Sequence, residues 1–277
     1  MSRELTLRIY SAIVLAAIVL TATWLGGFAF RLLSVLIGLL VYYEWSRMTQ
    51  LAESSMRGHA FGWFSIAAIG ANMLFGSPDM TVPLLAGLVM TAVLPSIAGH
   101  WRWWQVGGIF YSGLSAISLA AIRGEDSVGF AAMLFVFAIV WGTDILAYFV
   151  GRAIGGPKLA PKISPGKTWS GAIGGTIAGV LGGTAVALVY FQSVGLWIPV
   201  IAFILSVAGQ IGDLFESFIK RRFGVKDSSH LIPGHGGVMD RVDGLVFACF
   251  AAFFLAVGFS AIGKGAVTSL GAFLFGL

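Results

Sequence analysis

Long apolar stretches separated by short polar connections run through almost the whole chain. Those at 8–25, 28–45, 60–76, 82–99, 106–122, 128–151, 169–191, 196–219 and 241–262 each approach the roughly 20 residues that cross ~30 Å of hydrocarbon. The pattern predicts an all-α fold, a polytopic transmembrane helix bundle of about nine spans. The first stretch follows Arg3 and Arg8 and imitates a signal peptide. No small-x-small cleavage site follows it and further spans come at once, so it is expected to be a retained first helix. Within 169–191, Gly171, Gly175, Gly179 and Gly183 recur every fourth residue, marking a face where a second helix approaches closely.

Composition sharpens this reading. The 277 residues are 58% hydrophobic and 10% charged, where a soluble domain carries about 25% charged residues. A soluble globular enzyme is excluded. No polar stretch is long enough to fold alone, so residues 1–277 are expected to form one integral-membrane domain. Residues 1–127 would supply N-terminal spans and 128–277 the catalytic spans. With the N-terminus cytoplasmic, every Lys and Arg except Arg31, Arg123 and Lys264 falls on the inner side, as the positive-inside bias requires. The net charge of +5 is therefore assigned to topology and anionic lipid, and no nucleic-acid partner is expected. Cys249, the single cysteine, sits in an apolar run, permits no intrachain disulfide and is read as packing.

Two cytoplasmic connections stand out, 152–168 (RAIGGPKLAPKISPGKT) and 220–241 (KRRFGVKDSSHLIPGHGGVMDR). The ending SPGKT invites comparison with a P-loop, but Pro161 stands where that motif needs glycine and the preceding element is a membrane helix. What remains is a Pro/Gly turn at a helix start, where Ser164, Lys167 and Thr168 can meet an anion. Ionisable residues inside membrane spans are costly and hence functional candidates. Ser206, Gln210, Asp213, Ser217 and Lys220 follow helical steps along one face, with Glu216 beside them. Asp144, Tyr148 and Arg152 form a second stripe, for which an Asp144 to Arg152 relay is a purely structural alternative. Asp240 and Asp243 share a face if a helix begins near Val238, and Gly236 and Gly237 admit close backbone approach. Carboxylates gathered among cations suit Mg²⁺, which keeps waters and completes its shell with substrate phosphates. Lys220, Arg221, Lys226 and Arg241 are matched to phosphate oxygens, and His235 is placed to contact phosphate or nucleotide.

The stretch SFIKRRFGVKDSSHLIPGHGGVMDRVD at 217–243 resembles the signature of the phosphatidate cytidylyltransferases, or CDP-diacylglycerol synthases. Ser217, Lys220, Arg221, Lys226 and Asp227 fill its first half. His235, Gly236, Gly237, Asp240, Arg241 and Asp243 fill its second. The likeness extends to Asp144–Arg152, to SPGKT and to Gly212-Asp213.

The resemblance implies that phosphatidic acid and CTP give CDP-diacylglycerol and pyrophosphate, with Mg²⁺ as one or two cations. The family's metal-binding aspartates match Asp213 and Asp240. Asp213, Asp240, Lys220, Arg241 and Lys226 are the expected catalytic residues. Ser164, Lys167, Thr168, Ser217, Arg221, Asp227, His235, Gly236, Gly237, Asp243, Asp144 and Glu216 are expected to bind substrate. The reaction centre should lie where the lipid bilayer meets water, at the cytoplasmic face of a bacterial inner membrane. A homodimer is suggested by the resemblance alone. Two other readings stay open here: an ion-coupled transporter through Asp144, Asp213 and Asp240, and a related lipid-phosphate transferase or kinase.

Overall fold

The computed structural model describes residues 3–191, 195–262 and 269–277. Lys264, assigned above to the outer side, lies outside the described residues, as does the side chain of Arg3. The chain is helical almost throughout. The long helices are α1 (Arg3–Leu25), α2 (Gly27–Met48), α4 (Met56–Phe75), α5 (Thr81–Ile97), α6 (Trp103–Arg123), α7 (Ser127–Ile154), α8 (Trp169–Tyr190), α9 (Trp197–Arg222) and α10 (Met239–Ala261). Two short ones, α3 (Leu51–Ser54) and α11 (Leu270–Phe275), complete the set among the described residues. Eight of the long helices are apolar enough to cross a membrane, so the chain is a multi-pass membrane protein. The remaining one, α4, is long enough but more polar, with Arg57, His59 and Asn72 along it.

Local chemistry sets several boundaries. Gly26 (φ 63°) and Gly27 (φ 47°) adopt positive φ, which glycine tolerates, and leave a single residue between the end of α1 and the start of α2. Ser55, Asp126, Thr168 and Ser269 are N-caps, their side-chain oxygens accepting from Gly58 N, Gly129 N, Gly171 N and Ala272 N at 2.7–3.1 Å.

The chain divides into two compact units, one formed by 1–120 with 222–241 and the other by 121–221 with 242–277. In the first, Tyr42 and Trp45 of α2 are buried. The indole of Trp45 stacks on Tyr111 and donates to Trp104 O at 2.9 Å, while Gln105 Nε2 donates to the Tyr42 hydroxyl at 3.0 Å. The polar tips of Tyr42 and Trp45 thus have partners, as an apolar surrounding demands.

In the second unit, α7 and α8 pack backbone to backbone along the glycine stripe. A Cβ on Gly171 would lie 2.7 Å from Ala147 O, and one on Gly175 would lie 2.6 Å from Thr143 O. Any larger side chain would force the helices apart, so the stripe is the small-residue contact that its spacing predicts. α9 meets α10 in the same manner, with Gly209 and Gly244 facing each other and Gly212 against Asp243 O. Trp197 Nε1 ties α9 to α11 through Phe273 O at 3.1 Å.

The only sheet among the described residues is a hairpin, β1 (Lys158–Ala160) and β2 (Ser164–Thr168), paired antiparallel with Lys158 opposite Thr168 and Ala160 opposite Ser164. SPGKT is therefore a strand rather than the expected turn. The reversal falls at Pro161–Ile163 instead. A two-stranded ribbon is all edge, so Pro165 can occupy β2 without leaving a central ladder position unfilled.

Candidate active site

Within the second unit, α7, the hairpin, α8 and α9 line an open cavity of about 590 Å³ that carries several charged side chains, within the ~300–1,000 Å³ usual for ligand pockets. Asp144, Tyr148 and Arg152 come from α7, Lys158 and Lys167 from the hairpin, and Gln210 and Asp213 from α9. Lys167 forms an ion pair with Asp213, which ties β2 to α9 within this unit. Arg152 donates to the Tyr148 hydroxyl at 3.0 Å. Further along the stripe, Ser206 bonds Thr143 at 2.7 Å and Gln210 donates to Thr176 at 2.8 Å. Lys220 pairs with the buried Glu216 at 3.3 Å. Asp243, on α10, lies near Asp213, Glu216 and Lys220, and its Oδ1 accepts from Gly244 N at 2.9 Å.

An apolar groove of about 610 Å³ adjoins this cavity, sharing Leu159, Ala172 and Gln210 with it. Trp169, Ile173, Ile177 and Leu181 of α8 form one wall, and Phe203, Val207, Ile211 and Leu214 of α9 the other. A charged chamber beside a greasy trough suits an amphiphile.

The first unit holds the rest of the signature. Its loop 223–238 folds back through an Ile232–Gly236 bridge, with Gly234 (φ 75°) and Gly236 (φ 82°) in the left-handed region. His235 Nδ1 lies 2.8 Å from Ser11 Oγ, which also donates to Pro233 O at 3.0 Å. Asp240 opens α10. Its Oδ2 accepts from Ser228 N, Ser228 Oγ and Gly237 N at 2.9, 3.0 and 2.8 Å. A Cβ on Gly236 would lie 2.8 Å from that oxygen, and one on Gly237 would lie 2.5 Å from Glu44 Oε1. The bare backbone anticipated from this Gly-Gly pair thus accommodates the chain's own carboxylates. Lys226, Asp227 and Arg241 are exposed on the same loop and at its end.

A sequence profile of the cytidylyltransferase family matches residues 6–259. The chain belongs to that family. It is 47% identical over 248 residues to a phosphatidate cytidylyltransferase of Brucella abortus (strain 9-941), covering 88% of this chain and 90% of the relative. A protein of the same name from Bacillus subtilis (strain 168) is 31% identical over 272 residues, covering 91% and 98%. One from Haemophilus influenzae is 35% identical over 275 residues, covering 87% and 94%. The chain is an enzyme of the nucleotidyltransferase class, which sets the transporter reading aside.

For this cytidylyltransferase-family chain, the anticipated residues fall into two sets. Asp144, Ser164, Lys167, Thr168, Asp213, Glu216, Ser217, Lys220, Arg221 and Asp243 belong to the second unit. Lys226, Asp227, His235, Gly236, Gly237, Asp240 and Arg241 belong to the first. Asp213 pairs with Lys167, and Lys220 with Glu216. Arg152 donates to Tyr148, one turn before it on α7. Thr168 combines a cavity position with the N-cap of α8.

Sequence reasoning missed Glu44. It is fully buried on α2 and accepts from both Ser228 and Ser229 of the signature loop at 3.0 and 2.6 Å. The signal was present, since a carboxylate at the end of an apolar span is costly without partners. Its partners stand 184 and more residues downstream, beyond any local pattern.

Proposed function

We propose that the protein transfers the cytidylyl group of CTP to phosphatidic acid, releasing pyrophosphate and forming CDP-diacylglycerol. The observation that carries this reading, beside family membership, is the cationic cavity that runs into an apolar groove. Phosphates of the substrates would lie against Arg152, Lys158 and Lys167, and an acyl chain of phosphatidic acid along Ile173, Ile177 and Phe203. An anionic oxygen of the lipid phosphate attacks the α-phosphorus of CTP. The new P–O bond forms as the bond to the β-phosphate's bridging oxygen breaks, and pyrophosphate carries away the electron pair. The nucleophile is already anionic, so no side chain need remove a proton. The protein's work is positioning and neutralisation of charge that builds on phosphate oxygens.

A divalent cation belongs to the same proposal, with Mg²⁺ its identity and Asp213 and Asp240 its ligands. Two carboxylates suit Mg²⁺, which is commonly held by one or two such groups plus water and substrate phosphate. When bound it would supply positive charge to the reacting phosphates. Asp213, about a third exposed, is supported by its place in the cavity wall. Asp240 is supported by the three donors on Oδ2, which fix the direction of its other oxygen. Lys220, Lys226, Arg221 and Arg241 are proposed as phosphate contacts on their charge and signature positions. Ser164, Ser217, Asp227, His235 and Asp243 are proposed as substrate contacts on the same ground. The site is placed at the cytoplasmic face of a bacterial inner membrane, because CTP is water-soluble and phosphatidic acid is not. A homodimer is carried from the resemblance and is tested by native mass in detergent.

Release of pyrophosphate from CTP by purified protein, on addition of phosphatidic acid and Mg²⁺, tests the reaction. No release under those conditions would overturn it.

A further inference from the structure

Within the first unit, Glu44 is the most densely partnered carboxylate that the signature does not contain. Its side chain is fully buried, and its two oxygens accept four hydrogen bonds. Oε1 receives Ser229 Oγ at 2.6 Å and Val238 N at 2.8 Å. Oε2 receives Ser228 Oγ at 3.0 Å and Met239 N at 2.6 Å. Burying a carboxylate is unfavourable unless donors replace its water, and these four do so. The two backbone donors stand at the start of α10, where N–H groups lack intrahelical acceptors and the helix dipole favours an anion.

The contacts continue to Asp240. Ser228 Oγ lies 3.0 Å from Glu44 Oε2 and 3.0 Å from Asp240 Oδ2. One hydroxyl proton serves two carboxylate oxygens, so what Ser228 gives to one it withholds from the other. Glu44 therefore grips both ends of the segment 228–239 and is coupled to Asp240 through a single shared side chain. Gly237 is confined between the same groups, where a Cβ would lie 2.5 Å from Glu44 Oε1.

We propose that Glu44 is a positioning residue for the reaction. From α2 it clamps the signature loop onto the start of α10 and so sets the orientation of the Asp240 carboxylate. The inference rests on the cytidylyl-transfer reading above. Its consequence is kinetic: an Asp240 displaced by about 1 Å loses rate by about 100-fold while substrates still bind.

The test compares wild type, Glu44→Gln, Glu44→Asp, Ser228→Ala and the Glu44→Gln/Ser228→Ala pair. Turnover is measured per folded molecule in detergent, alongside backbone amide exchange. Glu44→Gln keeps the shape but replaces one accepting oxygen with a donor. It is expected to lower kcat about 100-fold, with KM for CTP and phosphatidic acid held within about threefold. Glu44→Asp keeps both acceptors and is expected to retain more turnover than Glu44→Gln. The double variant should be no slower than Glu44→Gln by more than about threefold, because both changes cut one network. Amides of Gly237, Val238 and Met239 should exchange faster in Glu44→Gln while those of α6 hold. A kcat for Glu44→Gln within about threefold of wild type, or a double variant whose loss is the product of the single losses, would overturn the proposal.

Should Glu44→Gln fail to accumulate, Ser228→Ala/Ser229→Ala removes both hydroxyl donors and leaves Glu44 its backbone ones. It carries the same expectation of lowered kcat at held KM, and unchanged kcat there overturns the proposal equally. Failure of the reaction reading looks different, since wild type itself would then release no pyrophosphate. The amide-exchange comparison would still decide whether Glu44 clamps the loop.

Discussion

Replacing Asp213 by Asn separates a structural ion pair from a catalytic one. The change keeps the side chain's size and removes the charge that faces Lys167. The two side chains are 28% and 35% exposed, so water screens the pair, and its loss should lower stability by no more than about 1 kcal/mol. Ser217 Oγ at 3.4 Å is a long contact and adds little. If Asp213 acts on the reacting phosphates, the loss appears in the transition state instead. Removing one preorganised electrostatic contact there costs about 100- to 1,000-fold in kcat, or ~2.7–4 kcal/mol. Thermal unfolding of the purified protein reads the first quantity and pyrophosphate release reads the second. The decisive control is Lys167→Met combined with Asp213→Asn, which leaves neither charge unpaired. Were Asp213 present only to neutralise Lys167, the double variant would turn over as fast as Lys167→Met alone. A further loss of about 100-fold below Lys167→Met is expected, and equal turnover in those two variants would refute the catalytic role of Asp213.

Four further substitutions probe the rest of the site and the fold. Asp240→Asn keeps an oxygen for Ser228 and Gly237 and should fold normally while losing about 100-fold in turnover. Asp240→Ala strips three donors of their acceptor and should also lose about 1–3 kcal/mol in thermal or denaturant unfolding. Gly175→Leu would drive a side chain into Thr143 O and Ala147, and should cost about 1–3 kcal/mol or more. Wild-type yield and melting temperature in that variant would contradict the close α7–α8 contact. Ile177→Trp fills the apolar groove and should raise KM for phosphatidic acid about tenfold with KM for CTP unchanged. Equal shifts in both constants would remove the groove from the lipid site.

Much of the helical framework was legible because each span is a predominantly apolar run, and hydrocarbon length alone brackets its size. The α7–α8 contact was legible for a related reason, since four glycines at helical spacing have few other uses. Short elements were not. α3 and α11 have too few residues to develop a period, and β2 hides behind a Pro-Gly pair that ordinarily marks a turn. At the candidate site, the signature residues announced themselves by charge and spacing. Their partners did not, because Lys167 reaches Asp213 from β2 and Glu44 reaches Ser228 from the second helix. Local periodicity records which face a residue occupies and carries no information about what the fold brings to that face.

Cytidylyl transfer moves the α-phosphate of CTP to the lipid. It is tested most directly by following two labels in parallel reactions with phosphatidic acid and Mg²⁺. The account predicts that label from α-³²P CTP enters the lipid fraction, while label from γ-³²P CTP leaves as pyrophosphate. Label from γ-³²P CTP in the lipid, or α-³²P retained in soluble nucleotide, would contradict it.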